Sequence, residues 1–184
     1  MQQTGFTTNV WPNIILLYAD SRIAQLCLSL QDEFDADVPV LLLLVIADRR
    51  GMSCEHEAFD KFLADAASWR ELVVRPLRTL RRAMKGHCAA GAETALRGDI
   101  KRIELQAERV HVARLAEAFP VSPARGTREH DLADRYLIER GVPGEQRRDC
   151  LSLFDAVITR LAKIACPPDH QHTKLDPARK TTAS

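Results

Sequence analysis

The chain has 184 residues, the size of one ordinary domain, which excludes a multi-domain enzyme. Hydrophobic residues make up 46% and charged residues 28%, a globular balance that excludes a wholly disordered, collagen-like or polytopic membrane protein. With 26 Lys plus Arg against 25 Asp plus Glu the formal net charge is +1, so no overall field draws the molecule to nucleic acid or an anionic membrane, and electrostatic recognition must be local.

Val10 to Tyr18 reads as a short helix with Pro12 in its first turn, where a missing N–H costs nothing. Asp20 or Ser21 caps a helix to Phe34, whose Ile23, Leu26, Cys27, Leu30 and Phe34 fall on one helical face. Asp37 caps the next helix, with Pro39 early in it and Gly51 at its end. Its run Val38 to Ala47 is the longest apolar stretch, about half of the ~20 residues a membrane span needs, so it reads as a central buried helix. The core is expected around Leu41 to Val45, with Leu26, Leu30, Leu77 and Leu80 about it.

Ser53 opens a helix through about Ala67, and a further one runs from Ser68 or Trp69 to Lys85 with a kink or break near Arg75, ahead of Pro76. Ala89 to Phe119 reads as one long helix, and Val121 to Gly126 as the clearest loop. Thr127 starts a short helix closed by Gly141, and the last helix begins after Pro143 or Gly144 and ends at Pro167. Strand signals are nearly absent. The expected fold is therefore all-α, a compact bundle of about seven to eight helices: an N-terminal helical core over 8–88, a helical extension over 89–167 packing on it, and a disordered tail over 168–184.

Five cysteines, at 27, 54, 88, 150 and 166, show no CxxC spacing and read as reduced thiols of a cytoplasmic protein. The segment before the first apolar run carries no Lys or Arg, which argues against a secretory signal.

Trp11, Tyr18, the run Cys27-Leu28-Ser29-Leu30-Gln31-Asp32, Asp37-Val38 followed by Leu41 to Leu44, Trp69-Arg70 and Val73-Val74-Arg75-Pro76-Leu77-Arg78 together resemble a family of uncharacterised proteobacterial proteins known only as a domain of unknown function. The resemblance covers the N-terminal half. It implies a helical bacterial protein and supplies no activity.

The strongest functional pattern lies on the helix from Trp69. Val73, Leu77, Leu80 and Met84 share one face, while Arg75, Arg78, Arg82 and Lys85 share the opposite one. Four cations without an acid among them repel unless an anionic surface faces them. An acidic protein partner or a phosphate-bearing ligand would answer this ridge; nucleic acid is disfavoured because no aromatics are interleaved. The structural alternative pairs these cations with acids of neighbouring elements. Gln31, Asp32, Asp35 and Asp37 gather at a helix end, with Asp37 as an N-cap and Asp32 as a candidate partner for an arginine.

Metal and nucleophile patterns are weak. Glu108-x-x-His111 is a single copy of a unit that carboxylate-bridged bundles use twice, Cys54 and His56, two positions apart on a helix, do not meet, and Cys166, His170 and His172 lack a fourth ligand. No cofactor or metal is expected, since no phosphate loop, dinucleotide fingerprint, nucleophile elbow or zinc motif occurs. Two stripes, Leu96, Ile100, Ile103, Ala107, Val110 and Leu151, Phe154, Ile158, Leu161, Ala165, have the spacing of helix-pairing seams. One seam, or the second stripe Leu105, Val112 and Phe119, could dock a partner or a second copy of the chain. Two functions follow. The first is a cytoplasmic helical adaptor or regulatory protein that binds a protein partner through the basic helix and the seams. The second is a small-ligand-binding protein or enzyme with a polar pocket near Gln31, Asp32, Trp69 and Arg78.

Overall fold

The computed structural model describes residues 3–86, 91–121 and 131–165. Among these the helices are α1 (Gln3–Tyr18), α2 (Ser21–Phe34), α3 (Val38–Arg49), α4 (His56–Trp69), α5 (Arg75–Ala83), α6 (Ala92–Ala118), α7 (Asp131–Glu139) and α8 (Gly144–Ala165). A π-helical turn, Arg70–Val74, joins α4 to α5 into one rod, so the eight helical segments form seven rods, with no strand among the described residues. The expected tail, the loop after Val121, the start at Thr127 and the residues Cys166, His170 and His172 lie outside the described residues.

α3 is the centre. Every residue from Val38 to Ala47 is buried, and the helix packs against α1, α2, α6 and α7. A helix apolar on all sides can exist in water only when it is surrounded. Leu30 joins the core while Leu26 is half-buried against it. Phe154 and Val157 bring α8 into the same core, and Phe59 and Phe62 bring α4, with Phe62 edge-on to Phe119 at 5.4 Å between ring centroids. Residues of the N-terminal core and of the extension thus share one apolar cluster.

Local capping follows the expected chemistry in part. The Asp20 carboxylate accepts the Arg22 N–H at 2.9 Å at the start of α2, and Asp37 caps α3. Three boundaries move. α1 begins at Gln3, so Pro12 lies inside it and not in its first turn. α4 begins at His56 with Glu55 as its cap residue, in place of Ser53. The break expected near Arg75 takes the form of the π turn, in which the Arg75 N–H bonds to the Arg70 carbonyl. The turn inserts one extra residue before Pro76, so the helix runs on without a break.

That extra residue shifts the helical face by about 100°. Leu80, expected in the core, is therefore 49% exposed, Leu77 is only half-buried, and α5 contains no buried residue. Val74 and the guanidinium-bearing Arg70 are buried instead.

Candidate functional site: an apolar cavity rimmed by arginines

The phase of α5 decides where its cations go. Arg78 lies against α6, donating from Nε to Glu104 at 3.1 Å and from Nη2 to Glu108 at 2.5 Å. Arg81, absent from the expected ridge, also clamps Glu104. Arg75 donates to Asp35 at 2.6 Å and pairs with Glu71 at 3.1 Å, and Arg82 donates to Asp32 at 2.9 Å. Lys85 is exposed in the short 3-10 turn Met84–Gly86 that follows α5.

The two acids of α6 respond in opposite directions. Burial alone would push the Glu104 carboxyl up, but hydrogen bonds from Arg81 and Arg78 outweigh it and hold the group below its ordinary range. Burial does prevail at Glu108, whose carboxyl is raised despite the single arginine beside it.

Behind this row lies a polar knot that runs from exposed Asp35 through buried Arg70 to buried Asp37 and His111. Asp35 ends α2 with φ at +50°, the left-handed conformation that usually calls for glycine. Arg70 donates to both carboxylate oxygens and, at 3.1 Å, to the backbone carbonyl, while Arg75 shares Oδ2 with it, so the strained turn is held by two guanidinium groups. The Asp35 carboxyl is lowered, chiefly by the hydrogen bond from Arg70. Asp37 meets His111 Nε2 at 2.9 Å through its carboxylate and donates its backbone N–H to the Tyr136 hydroxyl at 2.6 Å. Burial pushes the Tyr136 hydroxyl well up, so it stays protonated. Trp69 faces elsewhere: its Nε1 donates to the Ala107 carbonyl at 3.2 Å and Arg114 lies 5.0 Å over its ring.

Two adjoining cavities open on this side. The larger, about 260 Å³, has walls of Trp11, Ile14 and Tyr18 from α1, Leu28 from α2, Leu42 from α3 and Leu105 from α6. Arg78, Arg81, Arg82 and Lys101 stand at it against only Glu104 and Glu108. The second, about 240 Å³, is polar and is lined by Asp32, Asp35, Arg70, Arg75 and Thr79. Gln31, Arg78 and Arg82 line both. Of the residues singled out from the sequence, the fold thus gathers Gln31, Asp32, Arg75, Arg78 and Arg82, and leaves Trp69 and Lys85 outside both linings.

Trp11, Tyr18, Arg81, Lys101 and Glu104 were not legible as site residues. One hint existed: Glu104 and Glu108 at four-residue spacing form an acidic edge that matches Arg78 and Arg81. Glu108 and His111 diverge, one to Arg78 and the other to Asp37, and among the described residues no group of three or more His, Cys, Asp or Glu is placed to hold a metal ion. Burial raises the Cys27 thiol to about 12 and the Cys150 thiol to about 11, as befits core thiols. Among the described residues no helix is long and apolar enough to cross a membrane.

Fold and site together define an all-α bundle with an apolar cavity rimmed by fixed positive charge. Residues 9–115 match the family DUF2390, described as a protein of unknown function, and the chain belongs to that family. All residues that line the two cavities lie within the matched segment. No curated protein and no solved structure matches the chain.

Proposed function

We propose that this chain is a small-ligand-binding protein of the cytoplasm whose site is the cavity between α1, α2, α3, α5 and α6. The observation that carries the reading is a convergence: Ile15, Tyr18, Leu28 and Leu105, four large apolar side chains that folding leaves exposed, all line this one cavity. Apolar surface kept in water is costly, and its concentration at a concave site with a few polar groups fits ligand recognition. A dry cavity of about 150 Å³ accepts benzene, so about 260 Å³ suits a ring with a side chain or a medium-length acyl chain.

The test uses Trp11 as reporter. The chain has two tryptophans, so Trp69→Phe leaves only the one in the cavity wall. Octanol, a plain apolar probe, should change its emission saturably, and Leu28→Gln should weaken that binding about tenfold, the equivalent of ~1.4 kcal/mol of lost apolar contact. An emission that octanol leaves unchanged would overturn the reading.

A second reading, an adaptor that docks a protein partner, is supported by α6. Leu96, Ile103 and Val110 recur at seven-residue intervals and are all exposed, while Ile100 and Ala107 between them are buried. Loss of a co-purifying partner on Ile103→Asp, with octanol binding intact, would favour it.

A further inference from the structure

We infer that the cavity's ligand is an amphipathic monoanion: an apolar chain or ring seated between Trp11, Leu28 and Leu105, with a carboxylate held by Arg82 and Gln31. This rests on the reading of the cavity as a ligand site and adds its chemical class. The larger cavity carries four cationic side chains and two acidic ones, a local excess of two positive charges in a chain whose net charge is +1. Both acids are already held: Glu104 accepts from Arg78 and Arg81, and Glu108 from Arg78. Neither is available to repel an incoming anion as a bare charge.

The donors nearest the polar end are in a different state. Arg82 makes one hydrogen bond to Asp32, and the pair is half exposed, at 50% and 56% for the two side chains. Such a pair is weak because water competes for both partners. A guanidinium has five N–H donors in a planar fork matched to a carboxylate, so Arg82 can turn to a ligand with donors to spare. Gln31, half-buried and shared by the same two cavities, adds an amide N–H at that junction. Lys101, an exposed residue of the same lining, adds field. An apolar body therefore has its wall, and an anionic head its clamp, at adjoining cavities that share Gln31, Arg78 and Arg82. A cationic head would meet the excess positive charge.

The experiment compares matched probes on the full chain by calorimetry: octanoate, octanol and octylamine, with phenylbutanoate as the ring counterpart of octanoate. Octanoate should bind about tenfold tighter than octanol, and octylamine more weakly than either, since a hydrogen bond to a charged group supplies at least that factor. Arg82→Gln should erase most of the preference for octanoate over octanol, read as the ratio of the two affinities. Asp32→Asn removes the competing carboxylate and should strengthen octanoate binding. Rising salt should weaken octanoate and leave octanol unaffected. Equal binding of octanoate and octanol, or a preference that survives Arg82→Gln, would overturn the assignment of the anion while leaving the cavity a ligand site. Failure of all four probes to bind would remove the ligand site itself. The ratio of phenylbutanoate to octanoate tells ring from chain.

Discussion

Ten consecutive residues of α3 are buried, whereas α5 has no buried residue and yet packs along α6. α3 is held by area removed from water, which is non-directional: any close apolar neighbour serves. α5 is held by named pairs, Arg78 and Arg81 to Glu104 and Arg78 to Glu108, which need a particular partner at a particular angle. The contrast teaches where the molecule can be changed. An apolar helix tolerates rearrangement of its neighbours but not loss of volume, and a paired helix tolerates loss of volume but not reversal of charge.

Breaking the apolar side of that contrast should give the largest effect. Leu43 is 0% exposed, so Leu43→Ala should cost about 2 to 5 kcal/mol in chemical denaturation, against about 0.5 kcal/mol or less for Leu80→Ala. Equal losses at the two sites would contradict the placement of α5. Within the row of cations the contrast should sharpen. Arg78 is 15% exposed and lies between two carboxylates, so Arg78→Glu should cost about 3 to 5 kcal/mol and could unfold the chain. Arg82→Glu, at a half-exposed pair, should cost about 1 kcal/mol or less. If both reversals melted the protein to the same extent, the ion pairs would not be what distinguishes the two positions.

The smallest effect is in the response to acid. The Glu104 carboxyl sits below its unfolded value, so the stability it contributes is present above about pH 4.3 and is lost as pH falls through the folded value. Glu108 has the opposite sign: its raised carboxyl favours the fold at low pH, and that contribution is lost as pH rises through the folded value. Glu104→Gln should flatten the fall of melting temperature as pH drops below about 4.3, and Glu108→Gln should remove a gain in melting temperature on lowering the pH towards about 4.3 from above. Identical acid limbs for the two variants would show that Arg78 and Arg81 do not divide their attention as the geometry indicates.

Much of the frame was legible because it depends on neighbours along the chain. Asp20 and Asp37 as caps and Gly51 and Gly141 at positive φ, +65° and +76°, are decided within one helical turn. The site was legible by halves. Gln31, Asp32 and Arg78 meet as the sequence suggested, but Trp69 packs on α6, and the apolar wall around Trp11 and Tyr18 comes from a helix that carried no chemical motif. For α5 the reason is the π turn: a single inserted residue rotates everything after it, and a pattern counted at 100° per residue cannot register the shift, whereas Trp11, Tyr18 and Trp69 precede the turn and were set by how α1 and α4 pack on α6.

By itself the sequence determined the all-α class, the buried identity of α3 and the local caps, since periodicity and side-chain hydrogen bonding act over a few residues. Tertiary structure alone decided which charges meet. Asp48, at the last turn of α3 where a carboxylate gains nothing from its own helix, accepts the N–H groups of Leu132 and Ala133 at 3.0 and 2.9 Å and so caps α7 from across the fold. His111 finds Asp37 in the same way, 74 residues away, and Glu104 finds its two arginines. Ion pairs and hydrogen bonds depend on distance and direction in space, and separation along the chain fixes neither until the apolar core has set the helices in place.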